Sequence, residues 1–301
     1  MGGLGARHSL RVGTRRASGV KGGTSLSKAY GVIRRFSEDV DLTYDIRTIA
    51  PDLVGDNGEA LPKTRSEEER WSSDVRKRLP EWVAEAAQPV ITDALAAEAL
   101  VAAIRVEGEK LFIDYEATAV GSGYVAPRVM LEFGARSTGE PASLRDIGCD
   151  ASGLVKGVVF PTARPRVMHA ERTFWEKATA MHVFCLQQRL RGDRFARHWH
   201  DVVRLDEAGL AEAAFADREL AKAVARHKGM FFAEKAADQQ WIDYAAAVGG
   251  SLRLVPEGDA LTALGEDYAR MVDDGLLLDD AEPFDALMAR CADIAERANR
   301  G

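Results

Sequence analysis

Two aspartates separated by one residue, in Asp39-Val40-Asp41-Leu42, are the side chains of this sequence best suited to chemistry. The stretch alternates as a β-strand does, and side chains two positions apart on a strand point to one face. Their Cα atoms would lie roughly 6.5 to 7 Å apart, at about 3.3 Å of rise per residue. Two carboxylates so placed can converge on hard cations, and paired divalent ions about 3.5–4 Å apart serve phosphoryl transfer. Val40 and Leu42 would anchor the opposite face in a core. An Asp-x-Asp pair also suits an edge strand whose acids are simply solvated.

Upstream stands Gly22-Gly23-Thr24-Ser25, placed to open a helix. Glycines let the backbone approach a ligand closely. A helix N-terminus offers free N–H groups and positive potential to phosphate, and Ser25 adds a hydroxyl. The plainer reading is an N-cap, with Thr24 or Ser25 satisfying orphan amides. Glycine turn, helix and Asp-x-Asp strand together are more specific than either part. They set a phosphate cradle beside a metal-binding acid pair, as nucleotidyl transfer from a nucleoside triphosphate requires.

The elements that must position these residues follow from periodicity. The helix is expected over 26–36 and the strand over 39–44, followed by a loop over 51–64. Ser66 with Glu69 reads as a capping box, and Pro80 and Pro89 read as breaks in the helix it opens. A helix over 94–103 precedes strands at 104–106 and 111–115, joined as a hairpin, and a third at 127–133. Short strands are expected near 155–160 and 249–255. Helices are expected over 170–191, 195–205, 208–215, 218–237, 261–272 and 283–298. The organisation predicted is a poorly ordered basic stretch over 1–20, an α/β part over 21–165 and a helical part over 166–301.

Composition bounds the rest. A chain of 301 residues with 46% hydrophobic and 29% charged content is an ordinary globular sequence, not a collagen, a coiled-coil rod or a disordered chain. No run of 18 apolar residues exists, so no transmembrane helix is expected. The N-terminus lacks the apolar stretch of a secretory signal, and Cys149, Cys185 and Cys291 show no metal spacing, so a cytoplasmic location is expected. The net charge of −7 argues against a general nucleic-acid coating protein. It conceals an asymmetry: residues 1–36 hold eight Lys or Arg and no acid, while 254–301 hold twelve acids and four Arg. The plainer account is a loose basic tail and a solvated acidic helix face.

Lys21-Gly22-Gly23-Thr24-Ser25-Leu26-Ser27-Lys28-Ala29-Tyr30, followed by Arg35-Phe36-Ser37-Glu38-Asp39-Val40-Asp41-Leu42, resembles the AbiEii/AbiGii-type nucleotidyltransferases. This family includes the MenT-type toxins and belongs to the DNA polymerase β-like superfamily. Further matching blocks run over 129–136, 171–177, 197–201 and 227–232. The resemblance implies an α+β fold: a polymerase β-like core with a mixed sheet, then a C-terminal helical bundle. It implies that Asp39 and Asp41 hold two Mg²⁺ ions. Gly22, Gly23, Thr24, Ser25, Lys28 and Lys177 would bind the nucleotide. Glu132 would be the third acid, with Asp114 its rival, and Asp201 a functional acid of the helical part. Read without the family, Lys177 is a lysine snorkelling along apolar surface and Asp201 the partner of Arg197. His198 and His200 lack the spacing of a helical metal pair, and Trp175 and Trp199 read as core.

The activity so implied is Mg-dependent transfer of a nucleoside monophosphate from a triphosphate to RNA, with the tRNA 3′ acceptor end as target and translation as casualty. Lys21, Lys28, Arg34 and Arg35 would meet the RNA backbone. The protein would be the toxin of a toxin–antitoxin pair, with a cognate AbiEi-like antitoxin. Two rival readings are modification of a protein or small molecule, and a regulatory member of the family that keeps the fold without turnover. One departure from the family pattern stands out. Residues 11–20 are polar and glycine-rich where the family has a helix and an apolar strand, so an exposed sheet edge is expected there.

Overall fold

The computed structural model describes residues 19–35, 39–56, 58, 60–117, 127–189, 192–277 and 281–300. They form two compact units that interleave along the chain, a mixed α+β unit and a helical one. The first comprises Met1–Thr24, Glu38–Ala60 and Arg70–Val167, and the second Ser25–Ser37, Leu61–Glu69 and Met168–Gly301. Residues 1–18 of the expected basic stretch lie outside the described residues.

Strands in chain order are β1 (Gly19–Lys21), β2 (Asp39–Asp45), β3 (Ala102–Glu107), β4 (Lys110–Tyr115), β5 (Arg128–Ser137), β6 (Ala142–Leu144), β7 (Ile147–Gly148), β8 (Thr162–Ala163) and β9 (Arg166–Met168). Seven of them make one sheet in the order β3-β4-β5-β2-β1-β9-β6, while β7 and β8 pair separately. The sheet is mixed: β2 runs parallel to β5 and antiparallel to β1, and β4 is antiparallel to both β3 and β5. The polar sequence before the glycine turn suggested no strand, yet β1 forms, pairs on both sides and buries Val20.

Helices of the N-terminal half are α1 (Gly22–Lys28), α2 (Ile46–Ile49), α3 (Pro51–Val54), α4 (Arg65–Trp82) and α5 (Gln88–Ala97). Helix α1 stops at Lys28 rather than continuing to 36, with Gly31 at φ +64° just beyond, and Phe36 lies outside the described residues. The capping box of α4 sits two residues earlier than Ser66: Thr64 accepts from the Glu67 amide at 3.2 Å, and the Glu67 carboxylate accepts from the Lys63 amide at 2.7 Å. Pro80 does not end α4. A proline inside a helix costs about 3 kcal/mol. Trp71, Val75, Leu79, Val83 and Ala87 form a buried stripe at four-residue spacing, and each large apolar side chain so buried returns about 1.5–3 kcal/mol. The stripe wins, and a π-helical turn at Val83–Ala87 joins α4 to α5. The sheet face of Tyr44 and Phe133 packs on Trp82, with ring centroids 4.0 and 5.7 Å away. That leaves the face of Asp39 and Asp41 on the other side.

The second unit is built of α6 (Ala170–Gln187), α7 (Arg197–Glu207), α8 (Leu210–Ala216), α9 (Arg218–Phe231), α10 (Tyr244–Ala246), α11 (Gly258–Asp273) and α12 (Phe284–Arg300). Its core gathers Phe174, Trp175, Met181, Phe184, Trp199 and Leu264, all at most 1% exposed. Trp175 and Trp199 are therefore core residues, and their indole N–H groups donate to Ala214 O at 3.0 Å and Leu254 O at 2.6 Å. The strands expected near 155–160 and 249–255 do not form. The first stretch is turn and irregular chain, and the second begins with a π-helical turn, Ala247–Ser251.

Candidate active site

Register, which is a long-range property, builds the site in the first unit. Lys21 on β1 pairs with Asp41 on β2, Asp41 pairs with Glu132 on β5, and Glu132 pairs with Lys110 on β4. Directly paired residues project to the same face of a sheet. One row across four strands therefore reads Lys21, Asp41, Glu132, Lys110. Asp39 lies on the same face two residues back along β2, level with Met130. Lys110 Nζ is 3.1 Å from Glu132 Oε2, in a pair with both side chains about 40% exposed. Such a pair contributes at most about 1 kcal/mol, so its value is placement of the carboxylate.

Two glycines make room on this face. Gly22 takes φ +68°, and a β-carbon there would stand 3.0 Å from Asp41 Cγ and closer still to its Oδ2. The Asp41 carboxylate thus lies against the backbone that opens α1. Gly134 follows Glu132 on the same face, and the Lys21 ammonium lies 3.8 Å from the position its β-carbon would take. The Thr24 hydroxyl donates to the Asp39 carbonyl, tying the first turn of α1 to the start of β2. Thr24 is therefore engaged by the strand. Gly23 and Ser25 are buried, and Lys28 is exposed at the end of α1.

The two candidates for the third acid separate by register. Glu132 is level with Asp41, whereas Asp114 is level with Arg128, four residues earlier on β5. Asp114 is also held by Arg128 at 2.9 Å and Arg105 at 3.8 Å. Asp39 and Asp41 are the carboxylates that could serve a hard cation as donors. Mg²⁺ takes oxygen ligands, keeps several waters, and is commonly bound through one or two carboxylates plus substrate phosphate. Two half-buried carboxylates on one strand face fit that pattern. Among the described residues no group of three or more His, Cys, Asp or Glu converges as a ready-made metal cage.

Lys177 and Asp201 come together in the second unit. Lys177 Nζ is 2.9 Å from Asp201 Oδ2, and Arg35 grips the same carboxylate through Nε at 2.7 Å and Nη2 at 2.9 Å. All three side chains are buried. The partners of Asp201 are thus Lys177 and Arg35 rather than Arg197. The charge of Arg35 is spent inside the unit, which corrects its expected place on an RNA-facing surface. Burial pushes the Asp201 carboxyl up, but the charges of Lys177 and Arg35 and the bonds from His200 and Arg35 outweigh it and hold its pKa well below the usual carboxylate range. Burial pushes the Lys177 ammonium down, against the pull of Asp201 and helped by Arg35 and Arg197. Burial first, then Lys177 and Arg197, hold the His198 imidazole well below its usual pKa, so it is neutral.

The Asp-x-Asp pair and the glycine turn were legible in the sequence. Lys21 as the neighbour of Asp41, Lys110 as the partner of Glu132, and the gap at Gly134 were not. A family model described as nucleotidyl transferase AbiEii toxin, type IV toxin–antitoxin system, matches residues 20–290. Among solved structures the chain is similar to MenT4, a nucleotidyltransferase toxin from Mycobacterium tuberculosis H37Rv, at 16% identity. That match covers 95% of this chain and 84% of the other, with a TM-score of 0.34. A search of curated proteins finds no match. Among the described residues no helix is long and apolar enough to cross a membrane.

Proposed function

The chain belongs to the AbiEii family of nucleotidyltransferase toxins of type IV toxin–antitoxin systems, and on that premise we propose that it transfers a nucleoside monophosphate from a triphosphate to an RNA 3′ end, the tRNA acceptor end. The observation that carries this reading is the row Lys21–Asp41–Glu132, with Asp39 beside it and Gly22 opening α1 against the Asp41 carboxylate. Asp39 and Asp41 would hold Mg²⁺, and the metal, when bound, would supply charge neutralisation on the triphosphate and a lowered pKa for the acceptor hydroxyl.

The chain's own residues do the rest. The acceptor 3′ oxygen attacks the α-phosphorus, the bond from that phosphorus to the β-bridging oxygen breaks, and pyrophosphate leaves with both electrons of that bond. Glu132, placed by Lys110, takes the proton of the acceptor hydroxyl. The Lys21 ammonium, over Gly134, faces charge that develops on the phosphoryl oxygens. Gly22, Gly23, Thr24, Ser25 and Lys28 form the nucleotide-binding segment, with backbone amides rather than the Thr24 hydroxyl meeting phosphate. Lys177 and Asp201 are functional residues of the second unit, as the family resemblance implies, with Arg35 fixing Asp201.

Blocked acceptor ends stop aminoacylation, which makes the activity toxic in the cytoplasm and gives an AbiEi-like antitoxin its purpose. The test is incubation with each triphosphate, Mg²⁺ and total RNA, followed by gel analysis and 3′-end sequencing. Nucleotides added to tRNA ends support the reading. Label that appears on protein and never on RNA rejects it in favour of protein modification.

A further inference from the structure

Of the five tryptophans, Trp71, Trp175 and Trp199 are at most 1% exposed and Trp82 packs on the sheet, whereas Trp241 is 63% exposed. It belongs to the second unit and to none of the clusters described above. One exposed apolar side chain is ordinary on a protein surface, but this one is held in place. Lys235 and Trp241 bridge as an antiparallel pair, closed by bonds from Ala236 N–H to Gln240 O and from Ile242 N–H to Glu234 O, both 2.9 Å. The hairpin is tied to the end of α6 by Ala237 N–H to Leu186 O at 3.0 Å and by Gln187 Nε2 to Lys235 O at 2.9 Å. With its backbone groups so paired, the hairpin displays the ring on a fixed support.

Two cations stand beside the indole, Lys235 Nζ at 5.1 Å and Arg65 Cζ at 5.7 Å from its centroid. Arg65 donates to the Met230 carbonyl and lies 3.6 Å from Glu68 Oε2, so it steadies the ring and is no ligand contact. Lys235 is exposed and pairs with no carboxylate among the described residues. The acids of the same stretch are tied to donors: Glu234 accepts from Gln187 Nε2 at 3.2 Å, Asp238 from the Gln240 amide at 3.0 Å and Asp243 from the Ala245 amide at 2.9 Å. An indole 63% exposed keeps a face open despite both cations.

We propose that Trp241 is a stacking platform for an unpaired base of single-stranded RNA, with the Lys235 ammonium meeting the phosphate beside that base. Stacking carries the recognition, which suits a chain of net charge −7 better than a broad basic surface would. Every base has a π-face, and an open aromatic ring with a cation next to it holds single strands without a sequence code. A duplex keeps its bases inside and offers the ring only backbone. The choice of RNA over other polyanions rests on the RNA-acceptor reading above; the indole contact itself needs no transfer.

The test titrates RNA oligonucleotides into the full-length chain in EDTA without triphosphate. Affinity is read from the anisotropy of labelled RNA, and ring contact from tryptophan fluorescence. A single strand is expected to quench the fluorescence, and to bind the wild type roughly tenfold or more tighter than Trp241→Ala, the worth of one base stack. Trp241→Phe should keep most of the affinity and lose the quench, which reads the contact independently of how the alanine variant folds. Lys235→Gln should weaken binding and lower the slope of log affinity against log salt by about 0.7, the value for one phosphate of a single strand. A duplex of the same sequence and an abasic strand of the same charge should both bind more weakly. Affinity unchanged in Trp241→Ala, an abasic strand that binds as well as the normal one, or no quenching overturns the assignment and leaves the ring to a protein partner. Transfer to RNA by a chain whose Trp241→Ala variant binds RNA normally counts against the platform alone. Quenching by RNA in a chain that transfers no nucleotide counts against the proposed reaction alone.

Discussion

Lys21 and Asp41 are directly paired across the antiparallel strands β1 and β2, at the point where the chain turns through Gly22 into α1. The turn brings the α1 backbone against the Asp41 carboxylate, so the position of the acid is fixed by a residue with no side chain.

Gly22→Ala should therefore act on both stability and turnover. The φ of +68° alone costs a non-glycine residue about 1–3 kcal/mol. The added methyl group also needs the space of the carboxylate, and misplacing a reactive group by about 1 Å costs roughly a hundredfold in rate. Thermal unfolding and nucleotide incorporation measured on the same preparation check this. A variant as active as wild type would show that Asp41 is not held where the chemistry needs it.

The buried cluster around Asp201 behaves differently from the exposed pair at Glu132. Arg35→Met or Lys177→Met removes one of two cations from a fully buried carboxylate, and breaking a buried pair costs about 3–5 kcal/mol. Lys110→Met, in an exposed pair, should cost no more than about 1 kcal/mol while slowing transfer through a less fixed Glu132. Urea unfolding of the three variants distinguishes the cases. Equal losses in all three would contradict the burial assigned here.

Stability should fall on the acid side of neutrality. Burial, and then Arg253, lower the His182 pKa from 6.5 to about 4. Its Nδ1 accepts from the Arg253 amide at 3.0 Å, a bond that protonation destroys. A group whose folded pKa is depressed contributes stability present in full above its unfolded value, here 6.5. That contribution is lost as pH falls toward 4, and the shift is worth about 3 kcal/mol. Asp201, whose folded pKa is also depressed, adds a second loss below the ordinary carboxylate range. His182→Asn, which keeps an acceptor at the Nδ1 position, should flatten the limb between pH 6.5 and 4 in denaturation midpoints. An unchanged slope would exclude His182 as its source.

Thiol reactivity should divide the cysteines. Burial pushes the Cys185 thiol up to about 12, and pushes Cys291 up as well. Cys149 is half-buried in the first unit. Alkylation of the native chain followed by mass spectrometry should label Cys149 and reach the other two only on unfolding, since the thiolate is the nucleophile. Native labelling of Cys185 would contradict the packing of α6.

What the sequence disclosed and what it withheld follow from range. Asp39 and Asp41 are neighbours on one strand, so their common face follows from period two alone. The glycine turn is local in the same way. The row that joins Asp41 to Lys21, Glu132 and Lys110 depends on strand register, and Arg35 meets Asp201 from 166 positions away. No local pattern encodes either. Pro80 misled for a related reason: the penalty is local, but the buried stripe that overrides it becomes visible only when Trp71 to Ala87 are seen packed.

Incorporation of labelled nucleoside monophosphate into tRNA, wild type against Asp41→Asn with matched unfolding midpoints, is the most direct measurement. The expected result is robust labelling by the wild type and a drop of roughly a thousandfold or more in the variant, since the carboxylate acts in the transition state. A folded Asp41→Asn chain that labels tRNA at the wild-type rate would contradict the assignment of catalysis to this strand.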